Sequence, residues 1–206
     1  MTNKVGVPHW SYGELRTSAE RFVLDHALDQ EIPIPITEIV ELDLKIEVIP
    51  TSGMRRQTGI DAATLSNFQQ VLVDFDNYLA DTHRYRFSLA HELGHIVLHH
   101  DLLPHAFSDY PTFESFMADL SEADTHWLDW HADCFAGVIL MPTEHLNREF
   151  ARAVEEAEHH GLSAKSRWDT VRSYVYSSLA RKFNVSPQAM QTRAYYQKLD
   201  RLLHRL

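Results

Sequence analysis

The chain has 206 residues but a single cysteine, Cys134, and no uninterrupted run of 18 apolar residues. One cysteine excludes a disulfide within the chain and is typical of proteins in a reducing compartment. The missing apolar run argues against a membrane-spanning helix. The first residues, MTNKVGVPHWSYGELR, also lack the apolar segment of a secretory signal. From these absences we expect a cytoplasmic protein.

Basic residues are scarce in most of the chain, which carries a formal net charge of −10 at pH 7. Residues 165–206 have nine Lys or Arg against two acids, whereas residues 1–164 have ten against 27. An acidic protein is not expected to coat nucleic acid. The basic segment could touch nucleic acid, but its many apolar residues favour docking on the acidic remainder. We therefore predict a domain over residues 1–164 and a basic helical segment over 165–206 packed on it.

Hydrophobic periodicity predicts helices in several blocks and three short strands between them. The helices are expected at 12–30, 38–42 (with Thr37 as N-cap), 86–101, 121–140, from Thr143 to a stop at Gly161, 168–183 and 186–203. The strands are expected at 44–50, 58–65 and 69–76, the last two joined as a hairpin around residues 66–68. Helices and a small, mostly antiparallel sheet in separate blocks indicate an α+β fold.

The stretch RFSLAHELGHIVLHH places three titratable side chains in an otherwise apolar helix. At about 100° per residue, His91 and His95 lie on one face, Glu92 lies beside them, and Leu89, Leu93, Ile96 and Val97 gather on the opposite face. Two neutral imidazoles four residues apart can share one zinc ion, and an adjacent glutamate can act as general base. We therefore predict a zinc site on His91 and His95, with Glu92 as the catalytic base.

The third ligand must come from elsewhere, because His99 lies about 12 Å of helix rise beyond His91. Asp101 would require a turn after the helix, where Leu98 stands instead of glycine. The helix predicted at 121–140 carries His126, Asp129 and Asp133 on one face, at spacings of three and four. Small residues beside them, Ala132, Ala136 and Gly137, would let two helices approach closely. The sequence predicts that this helix supplies the ligand.

Together, RFSLAHELGHIVLHH and DWHADCFAGVILMP resemble the ImmA/IrrE group of zinc metallopeptidases. The resemblance extends to IPIPITEIVELDLKIEVIP and LARKFNVSPQAMQTRA, and implies a zincin-like domain with a helical, helix-turn-helix-like end. It implies zinc on His91, His95 and Asp129, with Asp133 orienting a ligand histidine. The family generally has glutamate where this chain has the shorter Asp129, so His126 is kept as an alternative ligand.

The resemblance implies a narrow-specificity zinc endopeptidase whose protein substrate is a DNA-binding repressor or antitoxin. The rival hypothesis is a non-catalytic, zinc-stabilised regulator that binds a repressor or DNA. Glu92 separates the two, because a purely structural zinc site needs no base. Linear spacing does not choose among His99, His105, Tyr110 and His126 as donors to the transition state. Cys134 is expected in the core.

Overall fold

The computed structural model describes residues 6–26, 28, 31–65, 68–80, 82–102, 110–164 and 167–203. Its α-helices are α1 (Tyr12–Asp25), α2 (Ile36–Glu38), α3 (Met54–Thr58), α4 (Phe75–Ala80), α5 (Thr82–Leu98), α6 (Tyr110–Asp119), α7 (Glu122–Leu140), α8 (Thr143–His159), α9 (Trp168–Phe183), α10 (Pro187–Gln197) and α11 (Leu199–Leu203). The strands are β1 (Glu47–Thr51), β2 (Ala62–Leu65) and β3 (Gln70–Asp74), and the predicted α+β class is confirmed. None of the described helices has both the length and the apolar character needed to cross a membrane.

The described residues group into two compact units. One comprises the described residues up to Arg16 and those of Pro35–Ala136, and the other comprises those of Thr17–Ile34 and those from Gly137 onward. This grouping joins α8 to α9 and α10, whereas the division expected from charge separates them at residue 164. Compactness alone does not decide where an independently folding domain ends, so the predicted domain limits stay a prediction.

The first unit contains a three-stranded sheet in the order β1-β3-β2. The predicted hairpin is confirmed, because β2 pairs with β3 antiparallel, with Ala63 opposite Leu72. The sheet as a whole is mixed rather than mostly antiparallel, since β1 pairs with β3 in parallel. The reason is topological: the chain crosses through α3 and β2 before β3 returns beside β1 in the same direction.

Helix α5 packs on β2 and β3. Tyr85, Leu89 and Leu93 recur every four residues and are buried, so this face anchors the helix as expected. Ile96 and Val97, predicted on the same face, are only half-buried.

Three short helices were not predicted: α3, α4 and α6. Helices α3 and α4 have five and six residues, too few to show a full amphipathic repeat, and α3 lies within a turn between Gly53 and Gly59, both at positive φ. Helix α6 has ten residues and carries Pro111 in its first turn, where proline is tolerated.

Buried Asp74 ends β3, and its carboxylate accepts the backbone N–H of Asn77 in α4 (3.2 Å) and of Arg55 in α3 (2.9 Å). Asp74 is therefore the local N-cap of α4, three residues before Asn77, and a tertiary cap of α3, 19 residues away in the chain.

Near the N-terminus, the expected boundaries are partly wrong. Helix α1 ends at Asp25, and part of the predicted remainder lies outside the described residues. The second helix begins at Ile36 after Pro35, not at a Thr37 cap, and continues as a π-helical turn over Ile39–Asp43. Proline suits the position before a helix because its φ is already fixed, and Thr37 therefore falls inside the first turn.

The second unit is helical, and its predicted boundaries agree well with the structure. Helix α8 buries Leu146, Phe150 and Val154 along one face. It ends before Gly161, whose φ of +78° lets the chain reverse. Helix α9 ends at left-handed Asn184, and Ser186 caps α10 through a hydrogen bond from the Ala189 N–H (3.1 Å). The expected single helix over 186–203 is instead interrupted at Lys198.

Candidate metal centre

His91 and His95 lie one turn apart on α5 and turn the same nitrogen toward each other. Their Nε2 atoms are 3.0 Å apart and their rings are inclined by 64°. Two nitrogens bound to one tetrahedral zinc at 2.0–2.1 Å would be about 3.3 Å apart. The pair is therefore arranged as two ligands of one ion, as the sequence predicts.

Asp129 of α7 completes the group. Within the described part of the chain, His91, His95 and Asp129 are the group of three whose ligand atoms all lie within 4.8 Å of one another. Two imidazoles and one carboxylate, with a position left open, are a typical donor set of catalytic zinc. His126, the alternative ligand, is outside this group and packs its ring against Trp127 at 5.7 Å. The residues present therefore fit a zinc ion.

Asp133 lies one turn after Asp129, and its Oδ1 is 2.8 Å from Nδ1 of His91. This contact holds the ring with Nε2 toward the proposed ion, the arrangement that the family resemblance implies. Burial by itself would lower the pKa of His91, but the hydrogen bond with Asp133 and the carboxylate of Glu92 outweigh it and raise the pKa. The α7 face thus supplies both a candidate ligand and the residue that orients another.

Glu92 is 6% exposed, and Oγ1 of Thr64 donates a hydrogen bond of 2.7 Å to its Oε2. Burial raises the pKa of Glu92, although His91 and the Thr64 hydrogen bond act in the opposite direction. Thr64 comes from β2, 28 residues earlier in the chain, and was not singled out from the sequence. The only signal was a hydroxyl in a short strand otherwise made of Ala62, Ala63 and Leu65.

The close approach of α5 and α7 depends on small residues. A Cβ added to Gly94 would lie 2.9 Å from Cα of Ala132 and 3.1 Å from its carbonyl oxygen. Such distances are too short for real side chains, so glycine is required where the two backbones meet. The sequence predicts small residues on α7, and Ala132 is one that allows the close approach. The glycine that it meets is Gly94 of α5, within the HELGH stretch.

A pocket of about 260 Å³ opens beside the candidate site. It is lined by Ile60, Asp61, Ala62, Phe87, Ser88, His91, Glu92 and Asp133. The charge of Asp61 is balanced, because Arg84 donates to it from Nε (3.0 Å) and Nη2 (2.6 Å) and Arg55 lies 3.3 Å away. Ile60, Ala62 and Phe87 form an apolar wall of the pocket, next to Glu92.

His99, excluded as a zinc ligand from its spacing, lies behind His95, with 3.0 Å between the two Nδ1 atoms. Burial and the neighbouring histidines hold the pKa of His95 well below its usual range. The same causes lower the pKa of His99 to about 3.

Among the candidate donors to a transition state, His99 does not line the pocket, and its two ring nitrogens lie against His95 and His131. His126 does not line the pocket either, and His105 and the side chain of Tyr110 lie outside the described residues.

Two other residues considered from the sequence are placed as expected. Cys134 is buried in the core. Asp101 is exposed, is paired with His100, and lies outside the metal-ligand group.

The sequence profile of the peptidase M78 family, described as the IrrE N-terminal-like domain, matches residues 75–195. A comparison with curated proteins finds no match. Among solved structures, a Mycobacterium tuberculosis transcriptional regulator is similar, with 18% sequence identity and a TM-score of 0.52. The similarity covers 86% of this chain and 45% of that chain, so this chain spans less than half of the regulator's length. At this identity the likeness shows the fold alone.

Proposed function

This chain belongs to the IrrE N-terminal-like (peptidase M78, ImmA/IrrE) family, and we propose on that premise that it is a zinc-dependent endopeptidase of narrow specificity. The observation that carries the proposal is the convergence of ligand atoms of His91, His95 and Asp129 within 4.8 Å, beside the buried carboxyl group of Glu92. A structural zinc site would not need a carboxyl group buried next to its ligands.

His91, His95 and Asp129 would hold the zinc, and Asp133 would keep the His91 ring in place through Nδ1. When bound, zinc supplies a Lewis acid that polarises a peptide carbonyl and makes water acidic near neutral pH. The protein's own contribution would be to orient these ligands beside the pocket that His91, Glu92 and Asp133 line.

Glu92 would take the proton of the attacking water and pass it to the nitrogen of the leaving peptide. The hydroxyl and the backbone of Thr64 both hydrogen-bond the carboxyl group of Glu92 and hold it in place for this proton transfer. Burial favours the neutral form of Glu92, which makes its carboxylate a stronger base than an exposed glutamate.

An extended substrate would align along β2. Of the two strands considered from the sequence, β3 pairs on both sides, whereas β2 is at an edge of the described sheet. All four residues of β2 are buried, so a substrate would reach this edge from the pocket at Ile60 and Ala62. Strand addition at an edge supplies main-chain hydrogen bonds that do not depend on side chains. The pocket at Ile60, Ala62 and Phe87 would then accept one apolar substrate side chain.

The substrate class follows from the family resemblance: a DNA-binding repressor or antitoxin, cleaved in the cytoplasm to relieve repression. The alternative is a zinc-stabilised regulator without catalysis. One observation favours this alternative: residues 165–206 are basic. Direct binding of nucleic acid is not part of the proposal, because the chain as a whole is acidic.

The experiment compares new protein N-termini in cells that produce the wild type, Glu92→Gln or the exposed control Glu155→Gln. Glutamine keeps the size of the side chain but accepts no proton. We expect Glu92→Gln to bind zinc and partner normally while cleavage falls about 10²- to 10⁴-fold. The product of the neighbouring gene is the first candidate substrate to test with purified protein. Equal relief of repression by Glu92→Gln and wild type would favour the non-catalytic regulator instead.

A further inference from the structure

Two more histidines continue inward from His95, on the side away from the candidate metal position. Nδ1 of His99 is 3.0 Å from Nδ1 of His95, and Nε2 of His99 is 3.2 Å from Nδ1 of His131. His99 and His131 are completely buried, and Trp10 lies over both rings at 6.2 and 4.9 Å. We call His95, His99 and His131 the histidine relay.

The contacts of the relay allow one proton arrangement once Nε2 of His95 binds a metal. A neutral imidazole carries one proton, so metal at Nε2 leaves the His95 proton on Nδ1. That proton must point at Nδ1 of His99, which can then only accept. His99 therefore carries its proton on Nε2 and donates it to Nδ1 of His131. His131 in turn carries its proton on Nε2.

The far end of the relay has an unusual feature. Nε2 of His131 is buried and has no hydrogen-bond partner among the described residues. A buried donor without a partner costs stability, and an apolar residue at position 131 would avoid that cost. A histidine at position 131 is explained if its Nδ1 is needed as the hydrogen-bond acceptor for His99.

We propose that His99 and His131 are positioning residues that hold His95 in the tautomer and ring orientation needed for metal binding. The inference rests on the metal site of the proposed function, but not on peptidase activity. Donation of the free ring N–H of a metal-binding histidine to a fixed acceptor keeps the ring oriented and makes its other nitrogen a better ligand. Here the acceptor is the imidazole of His99, and the imidazole of His131 holds His99 in place.

The first test reads the tautomers directly in the zinc-loaded, ¹⁵N-labelled full chain by two-bond ¹H–¹⁵N correlations of the imidazole rings. Spectra of His99→Asn and His131→Asn assign the signals. We expect the proton on Nδ1 of His95 and on Nε2 of both His99 and His131. A proton on Nδ1 of His99 in the zinc-loaded protein overturns the inference.

The second test measures zinc affinity by competition with a chelator. His99→Leu removes the acceptor and should weaken zinc binding about 10- to 100-fold, the usual effect of losing such a partner. His99→Asn keeps a side-chain oxygen near the position of Nδ1 and should recover most of this loss. His100→Leu, at the next and exposed position, is the matched control and should bind as tightly as wild type.

The outcomes separate this inference from the proposed function. Equal zinc affinity of wild type and His99→Leu overturns the positioning role and leaves the peptidase proposal intact. Zinc binding by wild type without any cleavage defeats the peptidase proposal, and the affinity series still decides the role of His99. If wild type binds no zinc, both fail. If His99→Leu does not fold, the tautomers of the wild type decide.

Discussion

The hydroxyl of Thr64 donates to Oε2 of Glu92 across 2.7 Å, so an edge strand of the sheet holds the side chain proposed as the base. The strand expected to align a substrate and the residue expected to move the proton are thereby linked by one hydrogen bond. A substrate that shifts β2 would also shift Glu92. This link gives the first prediction.

Thr64→Val keeps the shape of the side chain but removes the donor. A hydrogen bond to a charged group contributes about 1.5–3 kcal/mol, so we expect kcat to fall about 10- to 100-fold. Zinc affinity should stay unchanged, because Thr64 touches no proposed ligand. Thr64→Ser restores the hydroxyl and should restore most of kcat. The measurement is steady-state cleavage of the identified substrate, and equal loss in both variants would contradict a role for the hydroxyl.

Asp129→Ala removes the carboxylate ligand and should weaken zinc binding strongly, as measured by chelator competition. Asp129→Glu, which restores the residue usual in the family, should retain binding, because both side chains offer a carboxylate oxygen at the same metal distance. His126→Ala should change affinity little, since His126 lies outside the ligand group. Release of zinc by His126→Ala but not by Asp129→Ala would reverse the assignment.

Gly94→Ala places a methyl group 2.9 Å from the backbone of Ala132. Helices α5 and α7 must then separate, which should destabilise the protein by about 1–3 kcal/mol in urea unfolding. Zinc affinity should fall as well, because the two helices carry different ligands. Gly137→Ala is the control: its methyl group would meet only Cδ of Arg193, at an ordinary 3.7 Å. Unchanged zinc affinity in Gly94→Ala would show that the close approach is dispensable.

Glu149 of α8 is 6% exposed and forms ion pairs with Arg148 (3.3 Å), Arg152 (2.8 Å) and Lys182 of α9 (3.3 Å). Burial would raise its pKa, but the hydrogen bonds with Arg148 and Lys182 outweigh burial and lower it. The stabilisation is therefore present above the unfolded-state pKa of about 4.3 and is lost as the pH falls through the folded-state pKa.

Glu149→Gln should lower the free energy of unfolding at pH 7 by about 1–2 kcal/mol, since the partner cations are half exposed and screened. The difference from wild type should shrink as the solution is acidified below about pH 4.3, where the carboxyl group of the unfolded chain becomes protonated before that of the folded protein. Urea unfolding at a series of pH values measures both effects. Glu155→Gln, exposed on the same helix, is the control. A difference that stays constant down to pH 3 would contradict the ion-pair explanation.

Much of the candidate site could be predicted because its signals are local. The spacing of His91 and His95 puts two imidazoles on one face of any helix, whatever the helix packs against. Asp129 and Asp133 carry the same kind of signal on α7. Helices α8 and α9 were predicted well for a similar reason, since each has enough turns to show its periodicity.

Helix α3 escaped prediction because its capping residue, Asp74, lies 19 residues later in the chain, at the end of a strand. Helix α4 follows Asp74 directly but has only six residues, too few to show a periodicity. The parallel pairing of β1 with β3 escaped it too, because a crossover is a property of the whole chain path and not of either strand.

The sequence by itself determined which residues can bind a metal and which can carry a proton, because chemical type and helical spacing are properties of the chain alone. Only the tertiary structure decided how those residues are held. The contact of Gly94 with Ala132 sets the distance between the ligand-bearing helices. The hydroxyl of Thr64 fixes the base, and the buried ring of His99 stands behind His95. These partners lie on different elements or depend on burial, and burial is defined only when the chain has packed against itself.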